Sequence, residues 1–162
     1  MTSGEQENLG HATAAAPPPL TTPHSPLATP LRVVLVDDNM DTVLTLSMLL
    51  EAYGHDVRSA HDGPTGVQAA LDFRPDVVLL DIGLPGLNGY EVAKRIRQQP
   101  VLQNVVLVAL TGYGRDSDRE ASRLAGFNHH LVKPALIEQL EQILATVSVS
   151  GMALATGVMA PK

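Results

Sequence analysis

The stretch Val77-Val78-Leu79-Leu80-Asp81 decides the fold, because a short, unbroken apolar run ends there in a single carboxylate. Continuous Val and Leu runs of this length are typical of strands that are buried on both faces, as in a parallel sheet. Three more runs of this kind lie at 31–36, 105–110 and 129–132. Together the four runs predict the core strands of one parallel sheet.

Each of these runs leads into a polar group that is suited to phosphoryl chemistry. The run at 31–36 leads into Asp37 and Asp38, the next after Asp81 leads into Thr111, and the last leads into Lys133. Ligands of open α/β sheets bind beyond the carboxyl ends of the strands, so parallel neighbours would bring these groups to one crevice. Three carboxylates, a hydroxyl and an ammonium in one crevice indicate Mg²⁺ and a phosphoryl group.

The composition limits the classes of partner. A formal charge of −6 argues against a nucleic-acid surface, because phosphate contacts require clustered Lys and Arg. The basic stretch 94–97 is predicted to lie on the solvated face of a helix. A chain without cysteine has no disulfide, thiolate zinc site or thiol nucleophile. It shows neither a secretory signal nor a run of about 20 apolar residues, so we predict a cytoplasmic protein with no membrane partner.

The chain divides by composition into three parts. Residues 1–30 are rich in Pro, Ala and Thr, which predicts a disordered leader or linker. Residues 31–147 alternate strand and helix patterns and are predicted to form one domain. Residues 148–162 are small and uncharged until Lys162, which predicts a flexible tail.

Helix patterns separate the strand patterns. The helices are predicted at 39–52, with Asn39 or Asp41 as the cap, and at 63–71, 89–98, 116–124 and 135–146. The last helix is predicted to turn a stripe that includes Leu136 and Leu140 inward. A weaker strand pattern at 55–60 is predicted at an edge. The alternation predicts an α/β fold, a doubly wound parallel sheet of five strands flanked by five helices.

The acidic cluster predicts a bound cation. Two carboxylates about 4 Å apart repel by roughly 4 kcal/mol at an effective dielectric of 20. Mg²⁺ relieves that repulsion, because it prefers oxygen ligands and usually takes one or two carboxylates together with waters. A simpler interpretation is that Asp37, Asp38 and Asn39 only cap the following helix. A metal pair at 129–130 is disfavoured, because neighbours on a strand point to opposite faces.

Four segments resemble the receiver domains of two-component response regulators, the chemotaxis-regulator fold. The segments are VVLVDDN (33–39), DVVLLDIGLPGLNGYEVAKRIR (76–97), VVLVALTGYG (105–114) and AGFNHHLVKP (125–134). The intervals are also similar to the family: 43 positions from Asp38 to Asp81, 30 from there to Thr111, and 22 from there to Lys133. The resemblance covers residues 31–147 and implies a flavodoxin-like (β/α)5 receiver.

The resemblance implies a phospho-acceptor in a two-component phosphorelay. Asp81 would be the phosphorylation site, a carboxylate nucleophile that forms an acyl phosphate. Lys133 and the Thr111 hydroxyl would each contact a phosphoryl oxygen. The donor would be a phosphohistidine on a histidine kinase or a phosphotransfer domain.

The resemblance also implies the metal ligands. Asp38, Asp81 and the backbone carbonyl of Gly83 would bind Mg²⁺ directly, while Asp37 would act through a bound water. In the family, the positions of Gly83 and Tyr113 modulate the lifetime of the phosphate.

Thr111 and His130 are the switch residues that the resemblance implies. In the family, the threonine moves towards the phosphoryl group, and the residue three before the lysine rotates inward to follow it. That residue is commonly aromatic, but here it is His130. A downstream protein would bind the surface of the fourth helix, fifth strand and fifth helix. The family also places a cis bond before the proline at position 134.

Two other function classes stay open beside a signalling receiver that catalyses only its own phosphorylation and dephosphorylation. A Mg²⁺-dependent phosphatase of the haloacid-dehalogenase type also uses an Asp nucleophile, but it needs a second carboxylate two residues later, where this chain has Gly83. A non-phosphorylated interaction module is the third class. The sequences TGYG (111–114) and HHLVKP (129–134) are similar to those of receivers in hybrid histidine kinases. The chain is therefore consistent with a stand-alone regulator and with a fragment of a hybrid kinase.

Overall fold

Five parallel strands form one sheet in the computed structural model, which describes residues 29–112 and 116–155. The strands are β1 (Arg32–Val36), β2 (Asp56–Ala60), β3 (Val77–Asp81), β4 (Val106–Thr111) and β5 (His129–Val132). Their order is β2-β1-β3-β4-β5, and every neighbouring pair is parallel. The predicted five-stranded parallel sheet is confirmed, with the weak strand pattern at one edge.

Five helices cover the two faces of this sheet. They are α1 (Met40–Ala52), α2 (Gly63–Phe73), α3 (Gly89–Arg97), α4 (Asp116–Ala125) and α5 (Ile137–Ala155). Helices α1 and α5 pack on one face, and α2, α3 and α4 pack on the other. The doubly wound α/β architecture is therefore confirmed. Among the described residues, no helix combines the length and apolar character needed to cross a membrane.

Local capping explains why the helices begin at the carboxyl ends of the strands. The side chain of Asn39 accepts hydrogen bonds from the backbone of Asp41 and Thr42, so Asn39 is the cap of α1. The side chains of Asp62 and Asn88 cap α2 and α3 in the same way. Each cap satisfies N–H groups that the first helical turn leaves without partners. Three helix N-termini are thus fixed at the edge where the polar groups lie.

Strand β3 is the centre of the core, and all five of its residues are buried. Side chains alternate along it, so Val78 and Leu80 pack against the α2–α4 layer while Val77 and Leu79 pack against α1 and α5. Burial of each such side chain stabilises the fold by about 1.5–3 kcal/mol. Asp81, the last residue of β3, is therefore attached to the most completely buried strand of the sheet.

Both predicted ends of the last helix are wrong. Helix α5 begins at Ile137, and Leu136 precedes it with 54% of its surface exposed. The Leu136 carbonyl accepts the first helical hydrogen bond from Leu140, which makes Leu136 the N-cap and takes it off the inward stripe. At the other end α5 continues to Ala155, because a single glycine at 151 costs only about 1 kcal/mol and no proline intervenes.

Part of the predicted tail, 148–155, is accordingly helical. The rest of the tail at 156–162, residues 1–28 of the predicted leader, and Tyr113 lie outside the described residues.

The prediction for the basic stretch 94–97 is wrong at one position. Lys94 and Arg95 are exposed, but the Arg97 side chain is half-buried. Its guanidinium donates hydrogen bonds of 2.7–3.0 Å to four oxygens, namely the backbone carbonyls of Gln103, Val105 and Gly126 and the side-chain Oδ1 of Asn128. A planar fork of five N–H donors can reach several fixed acceptors, which accounts for the burial.

Candidate functional site

Three carboxylates meet where the strand order reverses, between β1 and β3. Asp37 follows β1 and Asp81 ends β3, so both lie at the carboxyl edge of the sheet. One oxygen from each of Asp37, Asp38 and Asp81 lies within 4.8 Å of the others. Asp37 and Asp81 are buried, with 0% and 6% of their surfaces exposed, whereas Asp38 is open to solvent. This crevice is where ligands of doubly wound sheets bind.

The two buried carboxylates are held in matching ways. Oδ1 of Asp37 accepts a hydrogen bond from the backbone N–H of Asn39, and Oδ1 of Asp81 accepts one from Gly83, each at 2.9 Å. The second oxygen of each carboxylate faces the ammonium of Lys133, at 2.6 Å for Asp37 and 3.4 Å for Asp81. Loop backbone therefore orients both side chains, and one lysine bridges them.

The charges of this cluster do not balance. Three carboxylates and one ammonium give −3 + 1, a formal charge of −2. Burial raises the pKa of Asp81, and the charge of Asp37 adds to this, against the lowering effects of the Gly83 N–H and Lys133. Burial lowers the pKa of Lys133, but its hydrogen bond to Asp37 and both neighbouring charges outweigh that effect, so the pKa is raised overall. Lys133 is thus a permanent cation in a site with excess negative charge.

The donor set fits a hard divalent cation. Carboxylate oxygens are the ligands that Mg²⁺ prefers, and an excess charge of −2 is what such an ion neutralises. Gly83 is exposed beside Asp81, and a Cβ placed there would lie 3.6 Å from Oδ1 of Asp81. A glycine here keeps that side of the carboxylate accessible.

Thr111 lies at the same edge of the sheet, but on the face that α2, α3 and α4 cover. It is 6% exposed, ends β4, and follows Leu110, which is the register partner of Asp81. Leu107 and Ala109 face the α2–α4 layer, so alternation places Thr111 on that face too. Sequence spacing placed Thr111 at the correct edge, but the face follows only from the register of the strands.

His130 lies on the same face as Thr111. It pairs with Ala109 in the β4–β5 register, two positions before Thr111, and its ring is partly buried. Its Nδ1 is 3.3 Å from the hydroxyl of Ser122 on α4. His129 pairs with Val108 and is partly buried towards the other face. The peptide bond before Pro134 is cis.

Two residues that contact residues of the predicted site were not anticipated from the sequence. Nδ1 of His61 lies 3.4 Å from the backbone oxygen of Asp37. This contact exists because β2 pairs with β1, which brings Ala60 beside Val36. Ser122 is the other residue, and no motif marked it. Both contacts join residues of different elements, 24 positions apart for His61 and eight for Ser122, so a motif within one element carries no signal for them.

The sheet order and the acidic crevice are those expected of a phospho-acceptor receiver, a class of signalling domain. The chain belongs to the family of the response regulator receiver domain, whose model matches residues 33–145. It is therefore a receiver domain of two-component systems, and the resemblance drawn from the four segments is confirmed.

Individual relatives agree with this assignment. The chain is 30% identical over 118 residues to protein PilH of Pseudomonas aeruginosa, which covers 70% of this chain and 98% of PilH. Several other curated relatives are longer than this chain, which spans 45%, 23% and 16% of three of them. The crystal structure of the receiver domain of sensor histidine kinase PA1611 from the same organism, with magnesium in its active site cleft, has a TM-score of 0.69 at 32% identity, over 75% of this chain and 99% of that one. The co-crystal structure of the Saccharomyces cerevisiae phosphotransfer protein Ypd1 with the receiver domain of Ssk1 has a TM-score of 0.68 at 25% identity. The match covers 74% of this chain and 90% of that one.

Proposed function

We propose that Asp81 is the carboxylate that accepts the phosphoryl group. The observation that carries this proposal is the shared ammonium: Lys133 lies 3.4 Å from Oδ2 of Asp81 and 2.6 Å from Oδ2 of Asp37. A cation fixed beside the nucleophile neutralises charge where phosphoryl oxygens arrive. Asp37 is fully buried and Asp38 is exposed, so Asp81 alone combines a shielded carboxylate with an open flank at Gly83.

The donor is a phosphohistidine of a histidine kinase or a phosphotransfer protein. An oxygen of Asp81 attacks the phosphorus as the P–N bond breaks, and the imidazole leaves with the electron pair of that bond as a neutral base if its other nitrogen carries a proton. The product is an acyl phosphate, and water later attacks it to release inorganic phosphate and restore the carboxylate. The chain thus catalyses only its own phosphorylation and dephosphorylation. A kinase-fed donor implies that the reaction takes place in the cytoplasm.

Asp38, Asp81 and the Gly83 carbonyl are the proposed direct ligands of Mg²⁺, with Asp37 acting through a water. This division is supported by the contacts that each carboxylate already makes. Both oxygens of Asp37 are already engaged, by the Asn39 N–H and by Lys133, whereas Asp38 faces solvent. When bound, the cation supplies charge neutralisation for the incoming phosphoryl group.

Incubation with Mg²⁺ and acetyl phosphate tests the assignment. We expect one acid-stable, base-labile phosphate per chain, which is lost in Asp81→Asn. Asp72→Asn, an exposed carboxylate on α2, is the matched control and keeps full labelling. Continuous release of phosphate from small substrates would instead favour the phosphatase class. An unlabelled wild-type chain that also fails to bind Mg²⁺ would favour the interaction module.

The donor protein is proposed to dock on α1. Met40, Leu44 and Met48 lie four residues apart on this helix, and each is 60–63% exposed. Residues at this spacing share one helical face. Helix α1 begins directly after the Asp38–Asn39 loop, so a donor that brings its phosphohistidine to Asp81 meets this face. An exposed apolar patch beside a reaction site indicates a protein interface.

Two phosphoryl donors of different size distinguish an effect on protein docking from an effect on the phosphoryl-transfer step. Leu44→Asp should slow transfer from a phosphorylated phosphotransfer protein by about tenfold or more, because a charge replaces an apolar contact. Labelling by acetyl phosphate, which needs no docking surface, should be unchanged. Equal slowing with both donors would contradict the docking proposal and point to a distorted site.

The downstream protein is proposed to bind across α4, β5 and α5. Three exposed apolar residues on or directly before these elements support this surface, namely Leu124 at 70%, Val132 at 37% and Leu136 at 54%. Leu136 is available only because it caps α5 instead of packing beneath it. Replacement of Leu124 and Leu136 by Ser should leave labelling of Asp81 intact while weakening the phosphorylation-dependent complex.

A further inference from the structure

A buried hydroxyl on α4 contacts the imidazole of β5. Ser122 is 2% exposed, and its Oγ lies 3.3 Å from Nδ1 of His130. The same hydroxyl donates a hydrogen bond of 2.8 Å to the backbone carbonyl of Asp118, one turn earlier in the helix. A buried hydroxyl is costly without partners, so this one is held by two.

The two partners of the Ser122 hydroxyl favour one arrangement of protons in this contact. A serine hydroxyl has one hydrogen, and at Ser122 that hydrogen points to the Asp118 carbonyl. If that hydrogen goes to the carbonyl, Oγ accepts from His130, and Nδ1 carries the proton in this arrangement. The contact with α4 thus selects the tautomer and the orientation of the ring.

The ring lies close to the phosphoryl site along the sheet. His130 is the register partner of Ala109, and Thr111 is the next residue on the same face of β4. Ala109 carries only a methyl group, so no bulky side chain stands on this strand between the imidazole and Thr111.

We propose that Ser122 is a positioning residue that retains His130 against α4, and that filling the phosphoryl site draws the ring away from it. This rests on the proposed function of Asp81. Loss of the α4–β5 hydrogen bond is then part of the cost of phosphorylation, and removal of the bond beforehand favours the phosphorylated form. Coupling of this kind is reciprocal, so the phosphoryl site and α4 each bias the other.

The hydrogen bond is tested by imidazole ¹⁵N NMR of the full chain. We expect the Nδ1–H tautomer at His130 in the wild type and its loss in Ser122→Ala. An Nε2–H tautomer that Ser122→Ala leaves unchanged would overturn the proposal. This measurement needs no phosphoryl group, so it decides the hydrogen bond even if Asp81 is not the acceptor.

The coupling is tested with beryllofluoride and Mg²⁺, a mimic of the phosphoryl group, with the amide signal of Thr111 as the readout. Ser122→Ala should bind the mimic about fivefold more tightly, the equivalent of one neutral hydrogen bond. In a His130→Phe background the same substitution should have no effect, because Ser122 acts only through the imidazole. Ser122→Cys keeps a similar volume with a weak acceptor, so its affinity for the mimic should lie between those of the wild type and Ser122→Ala. This variant also controls for misfolding of the alanine variant.

Two failures are distinguishable. A wild-type chain that does not bind the mimic would overturn the proposed function and the coupling together. Wild-type binding that is unchanged or weakened in Ser122→Ala, or an equal gain in the His130→Phe background, would overturn the coupling alone.

Discussion

The two ends of the sheet each contain a partly buried cation, but the partners differ. At the carboxyl end, Lys133 faces two carboxylates in a cluster with a formal charge of −2. At the amino end, Arg97 donates to three backbone carbonyls and one amide oxygen, all of them neutral. The same five strands therefore have one end with unbalanced charge and one end whose partly buried cation is held by neutral acceptors.

This difference indicates that the carboxyl end of the sheet serves binding, whereas the amino end contributes to stability. The Arg97 fork ties α3 to the starts of β4 and β5 across as many as 31 residues of chain, and its N–H groups are committed to fixed acceptors. The Lys133 cluster instead retains repulsion between carboxylates, which is a cost to folding that a cation and a phosphoryl group relieve. Functional sites are commonly strained in this way and are stabilised elsewhere in the fold. Substitutions at the two ends should therefore differ in sign and in readout.

The largest expected effect is on the reaction. Lys133→Ala should lower the rate of labelling by acetyl phosphate by about 10²–10³-fold, the loss typical of one electrostatic group in a preorganised site. Lys94→Ala, which removes an exposed lysine of α3, is the control and should label at the wild-type rate. A Lys133 variant that is labelled at the wild-type rate would mean that phosphorylation at the carboxyl end does not depend on this cation.

The next effect is on stability. Arg97→Ala should lower the free energy of unfolding by about 3 kcal/mol, because it leaves several carbonyls without a donor. Denaturant unfolding measures this, with Arg95→Ala on the exposed face as a control expected to stay within about 0.5 kcal/mol. Labelling per folded molecule should be unchanged. A slower labelling rate in folded Arg97→Ala would show that the two ends are coupled.

A substitution at the carboxyl end should change stability in the opposite direction. Burial and Asp37 raise the pKa of Asp81, so the folded chain disfavours its ionised form. Asp81→Asn should therefore stabilise the metal-free protein at pH 7 by roughly 1 kcal/mol. The gain should appear as pH rises above the unfolded pKa of about 3.9 and vanish below it. Added Mg²⁺ should reduce the difference in free energy of unfolding between the two proteins, because it stabilises only the wild type. Thermal unfolding of both proteins across pH tests this sign.

The smallest effect is a pH dependence at the amino end. Nδ1 of His55 accepts a hydrogen bond of 3.1 Å from the Leu31 N–H, and burial lowers the pKa of this imidazole. Its contribution to stability is complete above the unfolded pKa of about 6.5 and is lost as pH falls from there through the folded pKa. His55→Asn, whose Oδ1 can accept the same bond, should remove this dependence. Unfolding curves at pH 7.5 and pH 5.5 that differ equally in both proteins would assign it to other groups.

Much of the fold was predictable because its signals are local. The unbroken run 77–80 predicts a buried strand, and Asn39 is one of the two predicted caps of the helix that follows β1. The candidate site was predictable to the level of which residues reach the carboxyl edge. The face from which Thr111 reaches it was not, because a shift of one residue in register reverses a strand's faces.

The sequence by itself determined the parallel sheet, the edge where Asp37, Asp38, Asp81 and Lys133 gather, and the class of signalling domain, because periodicity and motif spacing act within short windows. Only the tertiary structure decided that Lys133 bridges two carboxylates, that Arg97 is a buried anchor and that Ser122 meets His130. Those partners lie on different elements, and packing between elements chooses them with no trace in any local pattern.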